Sequence, residues 1–325
     1  MDVVSELLRA VALKGALFYN AEYTAPWSFR SPPAPTIAPY LGHDARHVII
    51  YHLLAEGAAW ARLENGERVD LGPGDIVIFP HGDSHEMGNG GPSVVVDHGK
   101  ELQRILTSGL KVSRSGGGGE MTKFVCGYMS CDPQLSRLLL AGLPTVIKVN
   151  IHNDSAGLWL ENSIRFSVAS ASSSAAGAEA VLAKLSEALF VETLRRYLAE
   201  MPAGQTGWLA GARDSEVGKA LGLLHRRPAH PWTIADLAEE VGVSRAVLAE
   251  RFKHYLGKPP IAYLTQWRLQ LGAQLLTATS QSVAEIAAQV GYDSEAAFNR
   301  AFKREYEVPP ARFRRDTTAR RATAS

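Results

Sequence analysis

The hydrophobic pattern changes period several times along the chain. Residues 2 to 14 alternate polar and apolar positions at a helical spacing, and the sequence then turns to a loop punctuated by Pro26, Pro32, Pro33, Pro35 and Pro39. From His47 to about Met129, short β-branched and apolar runs stand between turns: HVIIYHLLAEG, ARLENGERVDLGPGDIVIFP, SVVVDHG and TKFVCGYM. Asn65-Gly66 between two alternating runs predicts a hairpin, and Gly72-Pro73-Gly74-Asp75 predicts the next turn. This region reads as a compact antiparallel β domain. After Leu135 the strand signals fade. Residues 157–170 and 178–200 read as helices, the second with Val181, Leu182, Leu185, Leu189, Leu194 and Leu198 on one apolar stripe, and Ser170 to Gly177 as the joint between them. Such a stripe serves either a subunit contact or packing on its own domain. Met201 to Gly211, with Pro202, Gly204, Gly207 and Gly211, reads as a linker.

The last third contains an internal repeat. TIADLAEEVG at 233–242 aligns with SVAEIAAQVG at 282–291, and SRAVLAERFKHYLGKPP at 244–260 aligns with SEAAFNRAFKREYEVPP at 294–310, the extra residue falling at Tyr292-Asp293. Each copy predicts a short helix, a glycine turn and a second helix. Thr233 with Asp236 and Ser282 with Glu285 have the spacing of a capping box, and Ser244 and Ser294 open the second helices. Leu248 and Phe252, like Phe298 and Phe302, share one face and predict core. The opposite face carries Arg245, Ala246, Ala249, Glu250 and Arg251 in the first copy, and Glu295, Ala296, Asn299, Arg300, Lys303 and Arg304 in the second. Helix-turn-helix units place the start of their second helix in the major groove, where Arg pairs with guanine and Asn with adenine, and small alanines permit close approach. The segment Pro259 to Thr279 predicts one continuous helix joining the copies, about 31 Å long at ~1.5 Å per residue. That length is close to the ~34 Å between successive major-groove faces.

Charge sharpens this picture. The 325 residues carry 34 Lys+Arg and 33 Asp+Glu, but 16 and 12 of these lie from Asp214 onward, leaving 18 and 21 before it. The last third is therefore the basic part, as a nucleic-acid partner requires. At 46% hydrophobic and 21% charged residues, disordered and fibrous classes are excluded. Interrupted apolar stretches, the charged residues Asp2, Glu6, Arg9 and Lys14, and only two cysteines predict a cytoplasmic protein with no membrane contact and no disulfide framework.

The segment Glu216 to Arg315 resembles the DNA-binding domain of AraC/XylS-type transcription regulators, and SVAEIAAQVGYDSEAAFNRAFKREYEVPPARFR is similar to that family's signature over its whole length. The resemblance implies seven helices with two helix-turn-helix units, at Thr233 to Tyr255 and Ser282 to Tyr306. It also implies double-stranded promoter DNA and RNA polymerase as partners. Glu250 departs from the family by placing an acid where a basic residue is often found. Arg268, Lys303, Arg304, Arg312, Arg314 and Arg315 are the expected phosphate contacts.

GDIVIFPHGDSHEMGN, residues 74–89, fits G-x5-P-x-G-x2-H-x3-N, the second motif of the cupin superfamily, at Gly74, Pro80, Gly82, His85 and Asn89. The first cupin motif is incomplete: His52 and Glu56 stand at ligand positions, with Ile50 where the first histidine belongs. His52, Glu56, His81, His85 and His98 are the candidate effector or metal residues, imidazole and carboxylate suiting Zn, Fe, Ni or Cu, although hydrogen bonds can satisfy the same histidines. AraC-type regulators commonly carry an N-terminal cupin followed by dimerising helices. The stretch His52 to Cys126 resembles the cupin of a subgroup that includes reactive-chlorine-responsive regulators, which makes Cys126 and Cys131 candidate redox residues. Five positions apart on one strand, these two face opposite ways.

The expected fold is α+β: an N-terminal antiparallel β barrel of the cupin type with flanking helices, then an all-α domain with two helix-turn-helix units. Expected domains are a cupin-like sensor at 1–155, a helical self-association segment with linker at 156–212, and a DNA-binding domain at 213–325. The expected function is a homodimeric, non-enzymatic transcription regulator without a cofactor, coupling a small-molecule or redox signal to promoter binding. The alternative is a metal-dependent cupin enzyme with an accessory helical domain.

Overall fold

In a computed structural model of the chain, residues 14–41, 47–91, 95–97, 112–131, 140, 142–172, 176–202 and 204–322 are described. They fall into two compact units, Leu13–Cys131 with Pro144–Glu200 in the first, and Leu140, Gly142 and Leu143 with Met201–Ser325 in the second.

The first unit holds eleven described strands: β1 Lys14–Thr24, β2 Trp27–Ser31, β3 His47–Glu56, β4 Ala59–Leu63, β5 Arg68–Leu71, β6 Asp75–Phe79, β7 His85–Asn89, β8 Val95–Asp97, β9 Ser113–Gly116, β10 Met121–Cys131 and β11 Ile147–Asn150, with a one-turn helix α1 at Ala34–Ile37. They form two sheets, ordered β11-β6-β3-β10-β1-β9 and β5-β4-β7-β2-β8. The expected antiparallel barrel is thus a pair of sheets, and two of its edge pairings, β1 with β9 and β2 with β8, are parallel. The Asn65-Gly66 hairpin forms as predicted, joining β4 to β5 with Arg62 opposite Arg68. The proline-punctuated stretch read as loop instead contains β1 and β2. Tyr19, Ala21 and Tyr23 alternate inward along β1, and the prolines stand outside the strands. The predicted helix over 2–14 lies outside the described residues except for Lys14, which begins β1.

Between the sheets lies an aromatic core. Trp27, Phe29 and Phe124 stack with ring centroids 5.4 to 5.9 Å apart, and Tyr23 meets all three edge-on. The other face of the six-stranded sheet is covered by helices. α2, Ser155–Ser172, and α3, Ala178–Glu200, pack against each other. Tyr51 crosses Gly127 and its hydroxyl meets Ser186 Oγ of α3 at 2.7 Å. Leu182, Leu189 and Leu194 of the expected stripe are buried within this unit, and Arg196 ties α3 to Asp154 at 2.8 Å. The expected middle segment 156–212 therefore does not stand apart: its helices belong with the sheets, because their apolar side covers the outer sheet face.

The second unit opens with α4, Trp208–Arg213, inside the expected linker. Seven helices follow: α5 Ser215–Arg226, α6 Ile234–Val241, α7 Arg245–Leu256, α8 Pro260–Ala278, α9 Val283–Gln289, α10 Glu295–Tyr306 and α11 Pro310–Ala322. Both predicted capping boxes form, and Ser244 and Ser294 cap α7 and α10 through the backbone N–H groups of Val247 and Ala297 at 3.2 Å. The first copy ends on Gly257 at φ +67°, whereas the second places Glu307 at φ +65°, so only one copy meets this left-handed position with the residue that suits it. No helix among the described residues is long and apolar enough to cross a membrane.

Candidate nucleic-acid interface and cupin site

The two helix-turn-helix copies match in burial as well as in sequence. Leu248 and Phe252 of α7 are buried, as are Phe298 and Phe302 of α10. On the open side, Arg245, Ala246 and Glu250 are exposed and Ala249 is half-buried. Glu295, Ala296 and Arg300 are likewise exposed and Asn299 half-buried, followed by exposed Lys303 and Arg304. Small, charged and amide side chains thus surround the start of each second helix, the part that enters a groove. Val247, 41% exposed at the start of α7, was not singled out in the sequence; an exposed β-branched residue two places after the first helical position was its only signal, and its methyls suit a thymine methyl. Asn299 donates from Nδ2 to the Glu295 carbonyl at 3.0 Å.

Three expected DNA contacts are otherwise engaged. Arg251 turns its guanidinium back to Asp214 and Glu216, at the start of α5. Arg268 donates to the carbonyls of Pro228 at 2.7 Å and His230 at 2.8 Å, in the loop before α6. Arg314 donates to the carbonyls of Leu276 at 3.1 Å, in the last turn of α8, and Gln281 at 2.5 Å, in the loop before α9. The helix after each unit therefore sends an arginine back to satisfy carbonyls before it, a use that sequence position alone does not distinguish from a phosphate contact.

In the cupin-like unit, Gly82 lies at φ +68°, and a Cβ there would stand 2.5 Å from Ala34 Cβ and from the Val48 carbonyl. This turn aims β7 so that His85 points inward, where Phe79 stacks on it at 3.6 Å between centroids. His85 Nδ1 lies 2.9 Å from the Asp83 carbonyl, which only accepts, so Nδ1 donates and Nε2 is left to accept. His52 Nε2, 2.7 Å from His85 Nε2, then donates, and His52 Nδ1 accepts from the Cys126 thiol. The chain of bonds is neutral throughout: burial pushes His85 down to about 4 and the Cys126 thiol well up.

The expected ligand set does not converge. Glu56 is exposed on the outside and paired with Lys123, whose hydrogen bond holds the carboxyl below its ordinary range. His81 is half-buried with its ring 6.3 Å from that of His47, and His98 lies outside the described residues. The His52 and His85 nitrogens are turned on each other, and among the described residues no group of three His, Cys, Asp or Glu is placed to hold a metal ion. These residues do not fit a cupin metal centre. Cys126 faces the core between the sheets, and Cys131 is buried too.

Against known families, a model described as Cupin matches residues 2–199, and one described as Helix-turn-helix domain matches residues 237–316. An AraC-like transcription regulator of Streptomyces lividans is 32% identical over 278 residues, which is 85% of this chain and 89% of that protein. The chain belongs to the AraC-like transcription regulators. Other members match along almost their whole length. The HTH-type transcriptional regulator AlkR of Acinetobacter baylyi is 27% identical over 322 residues, covering 98% of this chain and 100% of that one. The RCS-specific HTH-type transcriptional activator RclR of Escherichia coli K12 is 27% identical over 317 residues, covering 97% of each. In this AraC-like regulator the first unit is the cupin domain and the second the DNA-binding domain.

Proposed function

We propose that α10 and α7 read promoter DNA in the major groove, with Arg300 and Asn299 as the principal base contacts, and that the cupin domain couples a signal to this binding. The observation that carries the reading is the duplicated unit, whose copies match in sequence, caps and burial while their open faces keep groove-reading side chains. Arg245, Lys303 and Arg304 supply phosphate or base contacts beside them, and RNA polymerase is the partner through which binding becomes regulation. The signal is read as a small polar molecule entering a groove of about 500 Å³ lined by Arg30, Arg62, Glu64, Ser84 and His85. A redox signal is a weaker reading, because a buried neutral thiol is a poor nucleophile. No catalytic role is assigned to His52, Glu56 or His85: the two buried histidines are bonded to each other, and Glu56 stands apart from them, exposed and paired with Lys123.

The test is DNA selection from a random pool with the full chain, followed by Arg300→Ala. On the selected duplex the substitution costs roughly 1–3 kcal/mol and relaxes preference at one base pair, while binding to random duplex changes little. Equal loss on both duplexes would make Arg300 a phosphate anchor, and no binding to any DNA would end the reading.

A further inference from the structure

The two helix-turn-helix units share α8, whose Leu269, Ala273 and Leu276 pack with Ile286, Phe298 and Phe302 of the second unit. This packing joins the units along the axis of one helix. A second contact lies off that axis. Gly291, in the turn of the second unit, sits at φ +90°, and a Cβ there would stand 2.6 Å from Ala229 Cα, 3.0 Å from the Ala229 carbonyl oxygen and 3.0 Å from Arg268 Cζ. Ala229 belongs to the loop that enters the first unit, between the two carbonyls that Arg268 holds. The Arg268 guanidinium is partly buried here, and the Asp293 carboxylate, from the same turn as Gly291, favours its charge. Loop, turn and joining helix thus meet at one point, with no room for a methyl group.

We propose that Arg268, Ala229 and Gly291 form a positioning seam that fixes the angle between the two reading helices and so sets the separation of the two DNA segments this protein accepts. Arg268 acts here through the loop it holds, not through contact with DNA. Moving one half-site by a single base pair displaces it by about 3.4 Å and rotates it by about 35° around the duplex. A seam already in van der Waals contact cannot follow such a change, so the intact protein discriminates sharply against it.

This inference rests on the DNA-reading function proposed above. The test takes the duplex selected by the wild-type chain and makes versions with one base pair inserted or deleted between the two protected segments. The wild type is expected to bind these at least ~30-fold more weakly, a loss of about 2 kcal/mol. Arg268→Ala and Ala229→Gly are expected to weaken binding to the native spacing and reduce the discrimination to within ~3-fold, with Arg268→Lys between them and the wild type. Ala229→Gly keeps the Cα and carbonyl that face Gly291 and only loosens the backbone of the loop, so it carries the test should Arg268→Ala fail to fold by circular dichroism. Variants that lose affinity equally on every spacing, or keep the wild-type ratio, overturn the inference, as does a wild type indifferent to spacing. A wild type that selects no DNA instead overturns the functional reading beneath it.

Discussion

His225 shows how a side chain without any functional motif can dominate a domain's behaviour. It is sandwiched in a nest of rings, 3.9 Å from Trp267 and 5.8 Å from Tyr263 between centroids. Trp208 can only donate, so Tyr263 accepts from it at 2.8 Å and donates in turn to His225 Nε2 at 2.8 Å. Burial pushes His225 down to about 3 from an ordinary 6.5. The unfolded chain therefore takes up a proton below pH 6.5 that the folded domain refuses, and stability is lost as pH falls from 6.5 toward 3. By pH 5 this one group removes about 2 kcal/mol, and His225→Phe, although less stable at neutral pH, should show a correspondingly flatter dependence in urea unfolding. Nothing in the local sequence distinguishes His225 from an exposed histidine, since its burial depends on Trp208 and Trp267 arriving from far along the chain. The reading faces were legible because helical periodicity alone separates Leu248 and Phe298 from Arg245 and Arg300. The engagement of Arg251, Arg268 and Arg314 was not, because the carbonyls and carboxylates they meet lie tens of residues away.

Among the elements, the helices were read nearly to their ends because capping boxes and period are local signals. Strands β1, β2, β9 and β11 were missed. β2, β9 and β11 are four or five residues long, too short for alternation to declare itself, and β1 was masked by the prolines that follow it. The most consequential misreading concerns α4. The stretch read as linker places Trp208 under Tyr263, and Gly207 N–H donates to the Tyr255 carbonyl at 2.8 Å. A fragment starting at Met201 should bind DNA as a folded unit. One starting at Asp214 loses a buried tryptophan and should unfold about 3–5 kcal/mol more easily by thermal denaturation. Equal melting of the two fragments would remove α4 from the domain.

At the scale of the molecule, the most exposed large apolar side chains among the described residues lie on the helices of the cupin domain. Trp159 is 63% and Phe166 73% exposed on α2, with Leu158 beside them and Val181 and Val191 exposed on α3. Lone exposed apolar residues are ordinary, but two large aromatics seven positions apart on one helix face mark a contact surface. The proposal that this face mediates self-association predicts that Trp159→Glu with Phe166→Glu converts a dimer to a monomer by light scattering while leaving thermal unfolding of the protomer within about 1 kcal/mol. A double variant that stays dimeric would place the contact elsewhere. Of the stripe singled out in the sequence, Leu182, Leu189 and Leu194 are spent within the protomer, whereas Val181 stays exposed. Apolar periodicity shows that a face is covered without showing what covers it.

The packed rings of Trp27, Phe29 and Phe124 leave the middle of the cupin domain already occupied by the protein's own side chains. Under the proposed sensing role, chemical discrimination would fall to residues at the rim, which contribute little to holding the fold. New ligand preferences can be acquired there by exchanging solvent-facing arginines, acids and serines, at almost no expense in stability, while the interior stays unchanged.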